Sequence, residues 1–198
     1  MDDSTKKVFS SREEVQEALS KKRDIGRADL SGLDLAGFKL VGLNAEAVTL
    51  NKSDLRGSVV MAANLANADL SGVDLSGAVI GMCNLDGSDF SGATLRGAKF
   101  QMCNLGGADF SGADLQDTLW IASNVADADF SEALMEGAKS SAVSWMTAET
   151  LPAPIPEPLL AAPRWAPFAV LGLAGSLLAF LFVRRRRKSG YISLDDVG

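Results

Sequence analysis

The residues best suited to chemistry in this sequence are two cysteines that lie twenty positions apart. If the fold stacks positions at that spacing, Cys83 and Cys103 could form a disulfide or a thiolate metal pair. Both occupy small-residue positions of the repeat described below, so we interpret them as buried small hydrophobes. The sequence has no histidine, which excludes Ser-His-Asp and Cys-His relays and histidine-ligated metals. It also shows no glycine-rich phosphate loop or catalytic dyad, so we expect no enzyme activity, metal or cofactor.

The charge and the proline distribution constrain the possible functions further. The 198 residues carry a net charge of -6, and the isoelectric point is about 4.7. Such acidity argues against direct nucleic-acid binding through phosphate contacts. All six prolines lie between Pro152 and Pro167, which divides the chain into a proline-free body, a proline-rich stretch and a distinct C-terminal end.

The body is a five-residue repeat that runs from Ala28 to Gly137 without insertion or deletion. Every unit has an apolar middle residue, which we call the centre, from Leu30 to Met135. A small residue usually lies two positions before the centre, and Asp or Asn usually lies directly before it. A period of five fits neither a helix nor a flat strand. It favours a chain that turns a corner every five residues and points its large and small apolar residues inward.

Units such as ADLSG, which begins at Ala28, resemble the A(D/N)LXX motif of the pentapeptide-repeat family. The resemblance implies an all-β solenoid, a right-handed quadrilateral β-helix with four pentapeptides in each coil. A coil of twenty residues predicts that Phe90 lies over Phe110, and Asn84 over Asn104. Within the family, quinolone-resistance members inhibit DNA gyrase by presenting an acidic rod that mimics duplex DNA.

The segment 1–27 is predicted to cap the first coil with a helix over about residues 11–23. Ser11 is suited to the N-cap position and Glu14 to the third helical position, which together form a capping box. Val15 and Leu19 give the helix an apolar stripe. We expect it to pack on the bulky residues Leu33, Phe38 and Leu43.

Three further segments follow the repeat body, which spans 28–137. Residues 138–164 are predicted to be a proline-rich linker, in which residues 151–158 favour an extended spacer. Around Val143 and Trp145, the chain is expected to close the shaft less regularly than the N-terminal helix does. Residues 165–183 carry no charge and, at about 28 Å as a helix, match the hydrocarbon thickness of a bilayer, which predicts a transmembrane helix. Residues 184–198 form a basic and then acidic tail. The residues assigned to the membrane anchor are Trp165, Gly172, Ser176, Arg184, Arg185, Arg186 and Arg187.

The side of the membrane that holds the solenoid is open. Residues 1–27 contain no apolar run of the kind found in secretory signal peptides, which favours a tail-anchored protein with a cytoplasmic solenoid. The basic run after Val183 favours the opposite orientation by the positive-inside rule. We prefer the cytoplasmic arrangement. In the alternative, the chain is an exported or effector-type surface protein, because Pro156-Glu157-Pro158 followed by an apolar stretch and arginines resembles a C-terminal sorting signal.

Function is expected on the outward sides of the solenoid, because the inward positions are used for packing. One candidate is an acidic face, formed by Asp69, Asp74, Asp89, Asp109, Asp114 and Asp129. The other is an apolar interaction ridge, formed by Val59, Met61, Val79, Met82, Met102, Leu119 and Ile121. Such a ridge suits an unidentified protein partner, the lipid bilayer or a second copy of the chain. Gly172 and Ser176 also give a small-xxx-small pair that could support a homodimer.

These features predict a non-enzymatic, membrane-anchored scaffold that presents a protein-interaction surface near a bilayer. The first alternative is a DNA mimic that inhibits a topoisomerase. The second is the exported protein with a C-terminal sorting or anchor signal.

Overall fold

Residues 6–159 are described by a computed structural model of the chain. They form one parallel β-solenoid of about six turns, which is preceded by a single short helix. Within these residues, no helix has both the length and the apolar character needed to cross a membrane. The predicted transmembrane helix at 165–183 lies outside the described residues.

One side of the solenoid is a parallel sheet whose strands follow one another in chain order. Helix α1 spans Arg12–Lys21, and a 3-10 helix spans Trp145–Thr147. The strands are β1 (Lys39–Val41), β2 (Val59–Met61), β3 (Val79–Gly81), β4 (Lys99–Gln101), β5 (Leu119–Ile121), β6 (Lys139–Ser141) and β7 (Glu157–Pro158).

The register confirms the predicted coil of twenty residues. Leu40 pairs with Val60 and Phe100 with Trp120, and every pairing between strands is parallel. Three further columns of isolated parallel bridges run alongside, for example Asn84 with Asn104. The four columns follow one another at five-residue intervals along the chain, so each coil has four sides.

The corners explain why the sequence repeats every five residues. Every fifth residue from Arg27 to Ala142 has a positive φ. Many of these corner residues are glycines, for which this conformation carries no Cβ penalty. Met82 and Met102 adopt it as well, with φ of 53° and 54°, and their side chains project into solvent. The pattern therefore reflects a backbone requirement as well as a packing requirement.

The centres fill the shaft of the solenoid and stack directly on one another. The ring of Phe110 stacks on that of Phe90 at 4.7 Å and on that of Phe130 at 5.0 Å between centroids. Phe100 stacks on Trp120 at 4.3 Å. The aromatic half of the shaft is therefore a continuous set of ring contacts, each of which adds to the free energy gained by burial.

The N-terminal end is capped as the sequence predicts, with one difference in the capping box. Ser11 is the N-cap, and its side chain accepts a hydrogen bond from the backbone N–H of Glu14. The carboxylate of Glu14 accepts from the backbone N–H of Ser10 (2.8 Å) instead of from that of Ser11. Val15 of α1 is fully buried and belongs to the core of the solenoid. Phe38 and Leu43 are also buried, and Leu33 packs against the same core.

The sheet continues beyond the predicted boundary at residue 137, so the described part of residues 138–164 includes further coil structure. Strand β6 continues the sheet, and β7 pairs with it through Glu157 and Lys139. Trp145 is buried and closes the shaft, with its ring 5.3 Å from that of Trp120. We call residues 145–159 the closing coil. Alternating prolines are typical of a spacer, because proline lacks a backbone N–H. They are also compatible with the last coil of residues 6–159, where no further described strand needs a backbone N–H from them.

We predict that Leu95→Asp abolishes the cooperative thermal unfolding transition. Leu95 is fully buried, and an unpaired carboxylate at that depth costs several kcal/mol (roughly 3 or more). Circular dichroism melting of the full chain measures the effect. Asp109→Asn is the control and should hardly change the melting temperature, since an amide oxygen can still accept the N–H of Ser111. An L95D protein that melts near the wild-type temperature would contradict the inward assignment.

Candidate interaction surfaces

The outward side of β1–β6 differs from the three other sides of the solenoid, and we call it the strand face. The residues directly before the centres on the other sides are Asp, Asn or Thr, apart from Leu134. On the strand face the only charged residues are Lys39, Lys99 and Lys139, and most of the others are apolar. The strand face is thus apolar and basic on a chain whose net charge is negative.

The predicted interaction ridge lies on this face. Its members directly before the centres are Val59, Val79 and Leu119, and its members directly after them are Met61 and Ile121. All five are half-buried.

The other two ridge residues, Met82 and Met102, stand at the corner beside the strand face. They are 51% and 57% exposed. Val41 extends the same surface toward the N-terminus and is also exposed. The stacking at twenty residues therefore brings residues from five coils into one largely apolar surface.

A local notch shapes the middle of the strand face. Gly81 is buried although it lies on the outward side. A Cβ placed on Gly81 would come within 2.7 Å of the Met61 sulfur. The Met61 side chain therefore lies over Gly81 and fills the space that a larger residue would occupy. Thioethers are well suited to such adaptable packing.

The predicted acidic face occupies two neighbouring columns, and its carboxylates also support the turns. Asp69, Asp89, Asp109 and Asp129 form one ladder of bridges, and Asp74 and Asp114 belong to the next. One oxygen of each of these carboxylates accepts the backbone N–H two residues later, at distances of 2.7–3.1 Å, as Asp109 does from Ser111. This is an Asx-turn. The Asp residues thus stabilise the corners as well as making these sides acidic.

Arg56 and Arg96 on the acidic side form ion pairs, whereas the three lysines of the strand face form none within residues 6–159. Arg56 contacts Asp54 at 2.6 Å, and Arg96 contacts Asp114 at 3.3 Å. Lys39, Lys99 and Lys139 form no ion pair with any residue of the described range 6–159. Three ammonium groups are therefore free to meet anionic groups from outside. Lys139 follows the last pentapeptide of the repeat, which ends at Gly137, so the repeat pattern alone does not place it on this face.

A groove between α1 and β1 borders the strand face, and we call it the α1–β1 groove. It consists of two adjoining concavities of about 300 and 220 Å³ that share Leu19 and Lys39. Its apolar lining includes Phe38 and Leu43, and its charged residues are Arg12, Arg23 and Lys39. The packing of α1 on Phe38 and Leu43 was predictable from the sequence, whereas the groove that remains beside this helix was not.

The side of the solenoid that carries the asparagine column is held by a ladder of amide hydrogen bonds. Each asparagine Nδ2 donates to the Oδ1 one coil nearer the N-terminus, as Asn84 donates to Asn64 at 3.1 Å. The ladder runs through Asn124, Asn104, Asn84, Asn64 and Asn44 and ends on the carboxylate of Asp24. Because each amide uses its donor within the ladder, we assign this side a structural role.

Cys83 and Cys103 are free and buried in neighbouring coils. The neighbouring Cys83 sulfur, and then burial, raise the pKa of the Cys103 thiol above its ordinary value. The same contact lowers the pKa of the Cys83 thiol to about 7. Because both sulfurs are buried, we assign the pair to packing in the shaft. Within residues 6–159, no group of three His, Cys, Asp or Glu side chains is arranged to hold a metal ion.

Asp129 fastens the closing coil to the repeat body. Its carboxylate accepts a hydrogen bond from the Thr150 hydroxyl and another from the Ser131 backbone N–H at 2.8 Å. The Thr150 bond is the main cause, and the Ser131 bonds the next, of a pKa of Asp129 below its ordinary value. Because the folded state lowers this pKa, the stabilisation is present above the ordinary aspartate pKa. It is lost as the pH falls through the lowered value.

Comparison with known proteins supplies one family match. The family model described as pentapeptide repeats (8 copies) matches residues 53–92, 82–112 and 108–139. No curated protein matches the chain.

Several solved structures are similar to the chain. A pentapeptide repeat protein from the thylakoid lumen of Arabidopsis thaliana is 31% identical, with 52% of this chain and 68% of that chain covered and a TM-score of 0.41. QnrB1, a plasmid-mediated fluoroquinolone resistance protein, is 19% identical, with 72% and 74% covered and a TM-score of 0.38. Rfr23 from the cyanobacterium Cyanothece 51142 is 21% identical, with 68% and 99% covered and a TM-score of 0.34.

We predict that Thr150→Ala raises the pKa of Asp129 toward the ordinary aspartate value. The substitution removes the hydroxyl donor that contributes most to the lowered pKa, while the Ser131 bonds remain. Carboxyl-detected NMR titration measures the change. Thr147→Ala is a matched control, because the Thr147 hydroxyl donates to the Ser144 carbonyl instead. An unchanged pKa of Asp129 in T150A would show that the closing coil is not fastened through this bond.

Proposed function

From the membership of this chain in the pentapeptide-repeat family, shown by the repeats over residues 53–139, we propose that it is a non-enzymatic scaffold. Residues 165–183 anchor it in a membrane, and the solenoid presents a protein-interaction surface near the bilayer. The solenoid lies on the cytoplasmic side in this proposal. Protease protection of the solenoid in sealed membrane vesicles distinguishes this orientation from that of an exported protein.

The character of the strand face carries the proposal. It combines half-buried apolar residues with three lysines that form no ion pair among the described residues, whereas the neighbouring sides carry columns of Asp and Asn. Contiguous apolar surface of this kind is typical of protein-binding sites. The exposed methionines at its edge suit adaptable contacts. A protein partner that covers this face would remove the apolar residues from water and neutralise the lysines.

The acidic columns support a second candidate function, inhibition of a topoisomerase by mimicry of duplex DNA. The second oxygen of carboxylates such as Asp89 and Asp109 is available for contacts, because only one oxygen accepts the turn hydrogen bond. A supercoiling assay with DNA gyrase and the full chain distinguishes the two functions. Inhibition that is lost in Asp89→Asn with Asp109→Asn would support mimicry and count against the scaffold.

We predict that the strand face, and not the acidic side, contacts the protein partner in cells. A photo-crosslinking amino acid at Met61 should give a covalent adduct with a discrete protein, because Met61 lies in the middle of the strand face. The same group at Ser71 is the matched control, since Ser71 is similarly half-buried but lies beside Asp69 on the acidic side. Immunoblotting and mass spectrometry identify the adducts. Equal crosslinking from both positions, or from Ser71 alone, would contradict the proposal.

We predict that Leu173→Arg combined with Leu177→Arg releases the chain from membranes. Each arginine near the centre of a transmembrane helix costs roughly 2.5–3.5 kcal/mol of insertion free energy. Alkaline carbonate extraction measures the fraction that stays in the membrane pellet. Leu151→Arg combined with Leu159→Arg is the control, because both leucines are exposed on the closing coil. If both double variants remained in the pellet, the assignment of the anchor to 165–183 would be wrong.

A further inference from the structure

The α1–β1 groove is a concave site at the edge of the flat strand face. Leu19 of α1 lies between its two concavities, and Phe38 and Leu43 lie below. The volume of the larger part, about 300 Å³, is at the lower limit of pockets that enclose a small ligand. A flat face offers little to fix the position of a partner, whereas this groove can receive a side chain.

The groove carries cations along its whole length and no acidic residue in its lining. Arg12 lies at one end, Lys39 in the middle and Arg23 at the other end. On a chain with a net charge of -6, this concentration of positive charge favours an anionic occupant.

These three cations are available to a partner. The Nη1 of Arg12 is 3.7 Å from the Asp34 carboxylate. The Asp34 side chain is 76% exposed, so this ion pair is weak. The Arg12 guanidinium lies over the Phe38 ring at 4.6 Å, which orients it beside the groove. Arg23 donates only to the Val41 carbonyl among the described residues, and Lys39 has no ion pair there.

We infer that the α1–β1 groove binds a short acidic segment of a protein partner, with an apolar side chain at its middle. The inference rests on the proposed function, because it names the chemistry of the partner that meets this surface. The apolar side chain packs against Leu19 and Phe38, and carboxylates on either side pair with Arg12, Lys39 and Arg23. Partner residues beyond the groove continue over Val41 and Met61 on the strand face.

The length of the groove sets the length of this segment. Helix α1 has ten residues, which corresponds to about 15 Å at 1.5 Å per residue. An extended peptide covers that distance with about five residues at 3.3 Å each. A single apolar residue with two acidic residues on each side, five residues in all, therefore places carboxylates near both arginines.

The test measures binding of a synthetic peptide to the full chain in detergent solution. The probe is a fluorescein-labelled peptide with the sequence Glu-Glu-Leu-Glu-Glu, and its binding is followed by fluorescence anisotropy. We expect saturable binding that weakens with salt. The matched peptide with Gln in place of each Glu should bind at least about tenfold more weakly, because it cannot pair with the three cations.

Charge reversal at the groove should have the same effect as removing charge from the peptide. Lys39→Glu and Arg23→Glu should each weaken binding at least about tenfold, since like charges then face each other. Lys52→Glu is the matched control with the same change in charge on an exposed corner of the acidic side, and it should alter affinity less than about twofold. Unchanged melting temperatures establish that the variants are folded.

Several results would overturn the inference. These are equal binding of the Gln peptide, an equal loss of affinity in Lys52→Glu, or no binding to the wild-type chain. Displacement of the peptide by mixed micelles containing phosphatidylserine, but not phosphatidylcholine, would assign the groove to anionic lipid instead. A dimer of the chain in sedimentation analysis that Lys39→Glu dissociates would assign it to a second copy. The peptide assay requires neither a membrane nor a natural partner, so its failure leaves the crosslinking test at Met61 unaffected.

Discussion

The backbone hydrogen bonds between successive coils are the interaction on which the rest of the structure depends. Most centres donate their N–H to a carbonyl of the next coil, as Phe90 does to Asp109 at 2.7 Å. A slip of one residue would turn an apolar centre outward and a polar neighbour into the shaft. The register therefore fixes which residues share a column. Aromatic rings stack on rings, amides on amides and carboxylates on carboxylates because the same corner recurs every twenty residues.

The repeat made most of this fold predictable, since each position of the coil is represented many times in the sequence. The capping helix was also predictable, because Ser11 and the apolar stripe are local signals. The α1–β1 groove was not predictable, because its width depends on the distance between α1 and β1. No local sequence pattern encodes that distance. The closing coil was hard to predict for another reason. Alternating prolines are typical of extended spacers, and only the pairing of Glu157 with Lys139 distinguishes a coil from a spacer.

The four sides of the solenoid differ in chemical character, and this difference follows from the same columns. On the sides where Asp or Asn precedes the centre, these side chains form turn hydrogen bonds or the amide ladder. The fold itself therefore accounts for the residue types on those sides. On the strand face the backbone is paired as continuous strands, and the outward positions carry no turn-supporting side chains. These positions can vary without cost to the coil. The apolar residues and lysines found there are thus the part of the exterior that the fold leaves unexplained, which is why we assign function to them.

The alternating prolines of the closing coil have a further consequence for how the solenoid ends. The N–H groups of Glu157 and Leu159 donate back to the carbonyls of Ala138 and Ser140. The intervening Pro156 and Pro158 have no N–H to offer on the opposite edge. A β-solenoid without such a terminus would template the addition of foreign strands and the growth of fibres. Among residues 6–159, β7 is the last strand of the sheet, and its proline supplies no N–H donor on the outer edge, which disfavours the addition of a foreign strand there.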